Sequence, residues 1–113
     1  MICDFGDVVV VPFPFVDRPI AKRRPAVVLS NRDFNTAHDQ SLFAMITTGG
    51  GSTWPSDIGF DWTQAGLQHA CILRWKVFTL PQLLILRRIG RLAPGDVVNV
   101  GTALRANTGP DPA

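Results

Sequence analysis

The sequence predicts a mainly β domain, a small and strongly bent antiparallel sheet or barrel with one helix at its C-terminal end. Three observations carry that expectation. β-branched and aromatic runs of strand length recur along the chain, separated by Gly, Pro, Asn, Asp and Ser. The best helical spacing of apolar residues falls in one segment near the end. The 113 residues, 46% of them hydrophobic, suffice for one core. Residues 1–113 are therefore read as a single domain, with 106–113 as a flexible tail.

Gly6-Asp7 turns into Val8–Val11, a β-branched run that Pro12-Phe13-Pro14-Phe15 continues. Proline cannot donate to a ladder, so this half is expected at an edge or a bulge. Val9, Val11, Phe13 and Phe15 share one face at period two, and that face is expected to be core up to Phe13. Residues 16–24 read as a loop. Ala26–Ser30 is a second strand, opened by Pro25. Residues 31–40 are polar and turn-forming, with room for one helical turn. Ser41–Thr47 is a third strand, and Gly49–Ser52 a flexible loop.

Residues 57–61 suit a short strand, and Ala70–Arg74 another. Phe78–Pro81 reads as a turn. Leu83–Leu92 reads as a strand, though its imperfect alternation also admits a helix. Pro94–Arg105 is the helix. Pro94 suits its first position, Asp96 complements the positive start, and Val97, Val100, Gly101 and Leu104 fall at helical spacing.

Net charge is only +2, but its distribution is uneven. All nine acids are Asp, and residues 62–95 hold Arg74, Lys76, Arg87, Arg88 and Arg91 with no acid at all. Arg18, Lys22, Arg23 and Arg24 form a second basic group. Such segregation suits a polyanionic partner, and solvated strand faces equally well. Cys3 and Cys71 are too far apart for a zinc framework and read as two reduced thiols, one of them buried. No apolar run reaches membrane-spanning length, and Met1–Asp4 does not open a secretion signal, so a cytoplasmic chain is expected.

The sequence contains no phosphate-binding G-x-x-x-x-G-K-[ST] loop and no G-x-S-x-G elbow. His38 and His69 can act as an acid–base pair on RNA only if the fold unites them, and both sit in polar, loop-like contexts. Asp57 and Asp61 can act as paired carboxylates or hold a hard cation, but four residues apart in a loop they are more often turn residues. Arg24 stands at a strand entrance, where Pro25 biases it toward extended geometry, and its planar fork matches phosphate. Thr47 ends the third strand beside a glycine loop, where a hydroxyl can donate to a phosphoryl oxygen. On spacing alone the ordinary readings are a surface Arg and a strand Thr.

Taken in order, G-D-V-V-V-V-P-F-P-F, K-R-R-P-A-V-V-L-S, M-I-T-T, F-T-L, L-R-R-I-G-R-L and P-G-D-V-V-N-V-G-T-A-L-R resemble the PemK/MazF-type toxins of type II toxin–antitoxin systems over about residues 6–105. The resemblance implies an SH3-like barrel shared with the gyrase poison CcdB. It also implies a homodimer that cuts single-stranded RNA without a metal or cofactor, and an antitoxin partner. It places the catalytic pair on Arg24 and Thr47, with Thr48 as the alternative register. RNA contacts would fall on Phe15, Arg18, Lys22, Arg23, Thr48, Trp54 and Lys76. Products would carry 2′,3′-cyclic phosphate and 5′-hydroxyl ends. Ala93 and Gly95 depart from the Ser and Glu that relatives often place at the helix start, and the Gly49–Ser52 run is looser than usual. A CcdB-like gyrase poison without nuclease activity is the alternative.

Overall fold

A computed structural model describes residues 1–13, 22–48 and 52–111. Phe15, Arg18 and the glycines 49–51 lie outside the described residues. The elements are β1 (Asp7–Phe13), β2 (Lys22–Val28), α1 (Arg32–His38), β3 (Gln40–Thr47), β4 (Ile58–Gly59), β5 (Ile72–Pro81), β6 (Arg87–Arg91) and α2 (Pro94–Asn107). A single 3-10 turn at Gln82–Leu84 joins β5 to β6. The six strands form one antiparallel sheet in the order β4-β5-β3-β2-β1-β6. The mainly β class with a C-terminal helix is as the sequence predicts.

The central strands are apolar on both faces, which is why their sequences run continuously hydrophobic instead of alternating with polar residues. On one face Val8, Val27, Ala44, Ile46 and Leu73 pack with Phe60, Ala65, Leu92 and Val100. Helix α2 covers this face through Val97, Val100 and Leu104. On the other face Val9, Val11, Ala26, Val28 and Phe43 pack with Cys3 and Ile85, joined by Phe78 and Leu80. Val9 and Val11 are fully buried and Phe13 nearly so, as period two requires. Each such aliphatic or aromatic side chain contributes about 1.5–3 kcal/mol when fully buried.

Pro12 is tolerated because β6 pairs with β1 only as far as Val10, which leaves that side of Pro12 unpaired. Three expectations are corrected. Lys22–Arg24 belong to β2 and not to a loop, because they pair with Phe13, Pro12 and Val11 of β1. Phe78–Pro81 continues β5 against Phe43–Gln40 instead of turning. Leu83–Leu92 divides into the 3-10 turn and the shorter β6. In each case pairing with a neighbouring strand overrides the local signal.

The polar segment 31–40 holds more than one helical turn. Asn31 caps α1 by accepting from the Phe34 N–H at 2.9 Å, and Asp39 ends it in the left-handed region at φ 51°. Helix α2 starts without a side-chain cap at Ala93. Its Asp96 carboxylate accepts from the Asp61 N–H at 2.8 Å and ties the helix start to the preceding loop. The helix runs through Asn107, beyond the expected end at Arg105.

β5 carries a bulge. Ala44 faces Val77, but the next residue, Met45, faces Arg74. Trp75 and Lys76 are thus extra residues on β5 with no counterpart on β3, and beyond them the register resumes with Thr47 opposite Ile72.

Candidate active-site cleft

The register of the middle strands brings the two sequence-predicted catalytic residues together. Ala26 faces Met45 and Val28 faces Phe43. Arg24 lies two residues before this paired stretch on β2 and Thr47 two residues after it on β3, so the two stand near one another at the same end of the pair. An open cleft of about 220 Å³ lies there, and both residues line it together with Thr48, Gln68, His69 and Cys71. Arg24 and Thr47 are half-buried, whereas Thr48 and His69 are exposed. The arginine is delivered by a strand paired to β1 at Val11, so its backbone is set before any ligand arrives.

The cleft's other wall is the segment that leads into β5, and it is held by close packing. Gly66 adopts φ +96°, and a Cβ there would lie 2.9 Å from the Ile89 carbonyl oxygen. A Cβ on Gly90 would lie 2.4 Å from the Ala65 carbonyl oxygen, so only glycine lets β6 approach this segment. Asp61 accepts from the Gln64 N–H at 3.1 Å and acts as the turn residue its spacing suggests.

No carboxylate lines the cleft among the described residues. Its only titratable side chains among those residues are Arg24, His69 and Cys71. Burial pushes the Cys71 thiol up, which keeps it protonated and a weak nucleophile. Cys3 is raised too, by burial and then by Asp7, and lies in the opposite core layer. Both cysteines are free, and one is buried, as expected.

The acid-free stretch proves less free for a polyanion than its composition suggests. Asp7 gathers Arg91 at 2.8 Å and Arg88 at 3.7 Å. Arg74 donates to both Asp57 oxygens, at 3.0 and 2.8 Å, and its hydrogen bonds hold that carboxyl below the usual range. The same guanidinium donates to the Ser52 carbonyl and lies 5.3 Å over the Trp54 ring, which is 40% exposed. Asp57 therefore braces a loop and does not pair with Asp61.

Of the expected RNA-contacting residues, Lys22 and Arg23 are exposed on β2, and Lys76 is exposed with its ammonium 5.2 Å over the Phe13 ring. The histidines are not a pair. His38 ends α1 with its ring 4.5 Å from Phe34, whereas His69 joins the cleft. Nothing in the local sequence around Leu67–Cys71 signals that placement, which arises from the β3–β5 register.

The profile of the PemK-like, MazF-like toxins of type II toxin–antitoxin systems matches residues 4–108. The chain belongs to that family. Solved structures of MazF-like toxins share the fold. A mycobacterial endoribonuclease in complex with its cognate antitoxin superposes with a TM-score of 0.72 at 17% identity, over 94% of this chain and 91% of its own. MazE–MazF from Deinococcus radiodurans gives 0.75 at 17% identity, over 95% and 96%. The Mycobacterium tuberculosis toxin MazF-mt6 gives 0.67 at 20% identity, over 89% and 93%. Among curated proteins none matches the sequence. The cleft thus belongs to a PemK/MazF-like toxin with the sheet and terminal helix of its relatives, and no helix among the described residues is long and apolar enough to cross a membrane.

Proposed function

We propose that this toxin is a sequence-selective endoribonuclease that cuts single-stranded RNA to 2′,3′-cyclic phosphate and 5′-hydroxyl ends, and so inhibits growth. The observation that carries the reading is the convergence of Arg24 and Thr47 on one open cleft whose described lining holds no carboxylate. In the reaction the ribose 2′-oxygen attacks the adjacent phosphorus and the bond to the 5′-oxygen breaks. Negative charge then grows on the non-bridging oxygens. Arg24 stabilises it with a fixed fork of charged donors, and the Thr47 hydroxyl donates to one of the same oxygens. A guanidinium does not give up its proton near neutral pH, so its role is electrostatic. The chemistry needs no metal or cofactor.

RNA contacts are assigned to Phe15, Arg18, Lys22, Arg23, Thr48, Trp54 and Lys76, and base selection chiefly to the segment from Phe15 to Arg23, with aromatic stacking contributing about 1–3 kcal/mol per base. Relatives described with a cognate antitoxin support an antitoxin partner for this chain. A homodimer is the proposed assembly. It would cover Val77, Leu83 and Leu86, which are 46%, 79% and 46% exposed around the β5–β6 connection. The site of action is the cytoplasm, where RNA is available. The gyrase-poison alternative leaves the convergence of Arg24 and Thr47 without a role.

The test is purified protein incubated with single-stranded RNA in chelator. Cleavage should persist, leave 5′-hydroxyl ends at a restricted set of sequences, and fall about 10²–10³-fold in Arg24→Ala. Intact RNA, or equal cleavage by the variant, would overturn the reading.

A further inference from the structure

We infer that His69 is a third catalytic residue, the general acid that protonates the departing 5′-oxygen. The inference rests on the ribonuclease reading above and adds to it a proton donor, which neither Arg24 nor Thr47 supplies. Arg24 keeps its proton near neutral pH, and an alcohol such as Thr47 is too weak an acid. Yet the 5′-oxygen leaves as an alkoxide unless a proton reaches it. Imidazole is the side chain suited to such transfer at physiological pH.

The sheet order supplies the geometry. β3 lies between β2 and β5, so Thr47 stands at the centre of the cleft. Arg24 flanks it from β2. His69 flanks it from the segment that enters β5, where Ile72 pairs with Thr47. In-line displacement places the entering and leaving oxygens at opposite poles of the phosphorus. A phosphate held between Arg24 and Thr47 leaves one pole toward β5, within the part of the cleft that His69 lines. The polar and titratable residues that line the cleft with His69 are Arg24 from β2, Thr47 and Thr48 from the end of β3, and Gln68 and Cys71 from its own segment. The raised thiol is a poor proton carrier near neutrality, so His69 is the one described group in the cleft fitted to the task.

The step balances without a co-reactant. The 2′-oxygen–phosphorus bond forms as the phosphorus–5′-oxygen bond breaks. The imidazolium proton passes to the 5′-oxygen, the 2′-hydroxyl proton passes to water, and the neutral imidazole is reprotonated from solvent.

The experiment compares two RNA substrates, one natural and one with sulfur in place of the bridging 5′-oxygen. A thiolate leaves without protonation. His69→Gln should lose about 10²–10⁴-fold on the natural substrate and less than about tenfold on the sulfur one. On natural RNA the wild-type rate should fall at alkaline pH, and that of His69→Gln should not. Thermal melting of His69→Gln should match the wild type, because the side chain is exposed, and His38→Gln serves as the histidine control outside the cleft. Equal loss on both substrates, or no loss on either, overturns the general-acid role while leaving the ribonuclease reading intact. A wild-type chain that cleaves neither substrate overturns both readings.

Discussion

The chain gathers polar side chains in two places and treats them oppositely. Around α1, Ser30, Asn35, Ser41 and Gln82 are buried and tied to one another and to backbone. The Asn35 amide donates to the carbonyls of Cys3 at 2.9 Å and Ser30 at 3.2 Å, and Ser30 accepts from the Leu42 N–H at 2.9 Å. At the cleft, Arg24, Thr47 and His69 surround open space. The first group joins the N-terminal residues, α1 and the far end of β5 into one unit. The second sits where strands end and lines an open cleft. Polar groups sealed in the interior specify shape, whereas polar groups that line an open cavity can meet a ligand.

The comparison breaks first at Thr47. If the cleft serves chemistry and not stability, Thr47→Val should lower the cleavage rate about 10²–10³-fold while the melting temperature moves by no more than a few degrees. Initial rates and a melting curve on one preparation decide it, and a large fall in melting temperature would make Thr47 part of the scaffold. The converse change is Asn35→Ala. It strands buried partners at Ser30 and Cys3 and should cost about 1–3 kcal/mol in denaturant unfolding, while the cleavage rate well below the melting temperature stays near that of the wild type. A rate loss matching that at Thr47 would erase the distinction between the two regions.

The smallest effect sharpens the picture at the loop around Trp54. Asp57 has its carboxyl lowered by hydrogen bonds from Arg74, against an ordinary aspartate value of 3.8. The bound form is therefore the charged one. Its stabilisation is complete above that ordinary value and fades as pH falls below it. Asp57→Asn should be less stable than the wild type at neutral pH, and the gap should narrow in acid. Melting curves at pH 7 and pH 3 test this, and a constant gap would show that the ion pair does not carry the effect.

How much of this the sequence discloses depends on the range of the forces involved. β1, β3 and α2 are legible because their signals are local: the valine run, the Ser41–Thr47 run and the Pro94–Asp96 helix start. Lys22–Arg24 look like loop because they are charged, and only pairing with β1 makes them strand. The split of Leu83–Leu92 depends on where Ile85 finds the core, a tertiary fact. At the cleft, Arg24 and Thr47 were recognised by resemblance, since each is ordinary in its own neighbourhood. His69 carries no local mark at all, because its companions lie on strands far from it along the chain.

The bulge on β5 sets the spacing of all this. If Trp75 and Lys76 paired as ordinary strand residues instead of bulging out, the register set by Ala44 and Val77 would continue unbroken, and Thr47 would meet Arg74 in place of Ile72. The segment ahead of β5 would slide by two residues, roughly 7 Å at the rise of a strand, and His69 would shift relative to Thr47 while every strand still found a neighbour. Two residues of slack on one strand thus work as a vernier, separating the alignment of the cleft's lining residues from the integrity of the sheet that bears them.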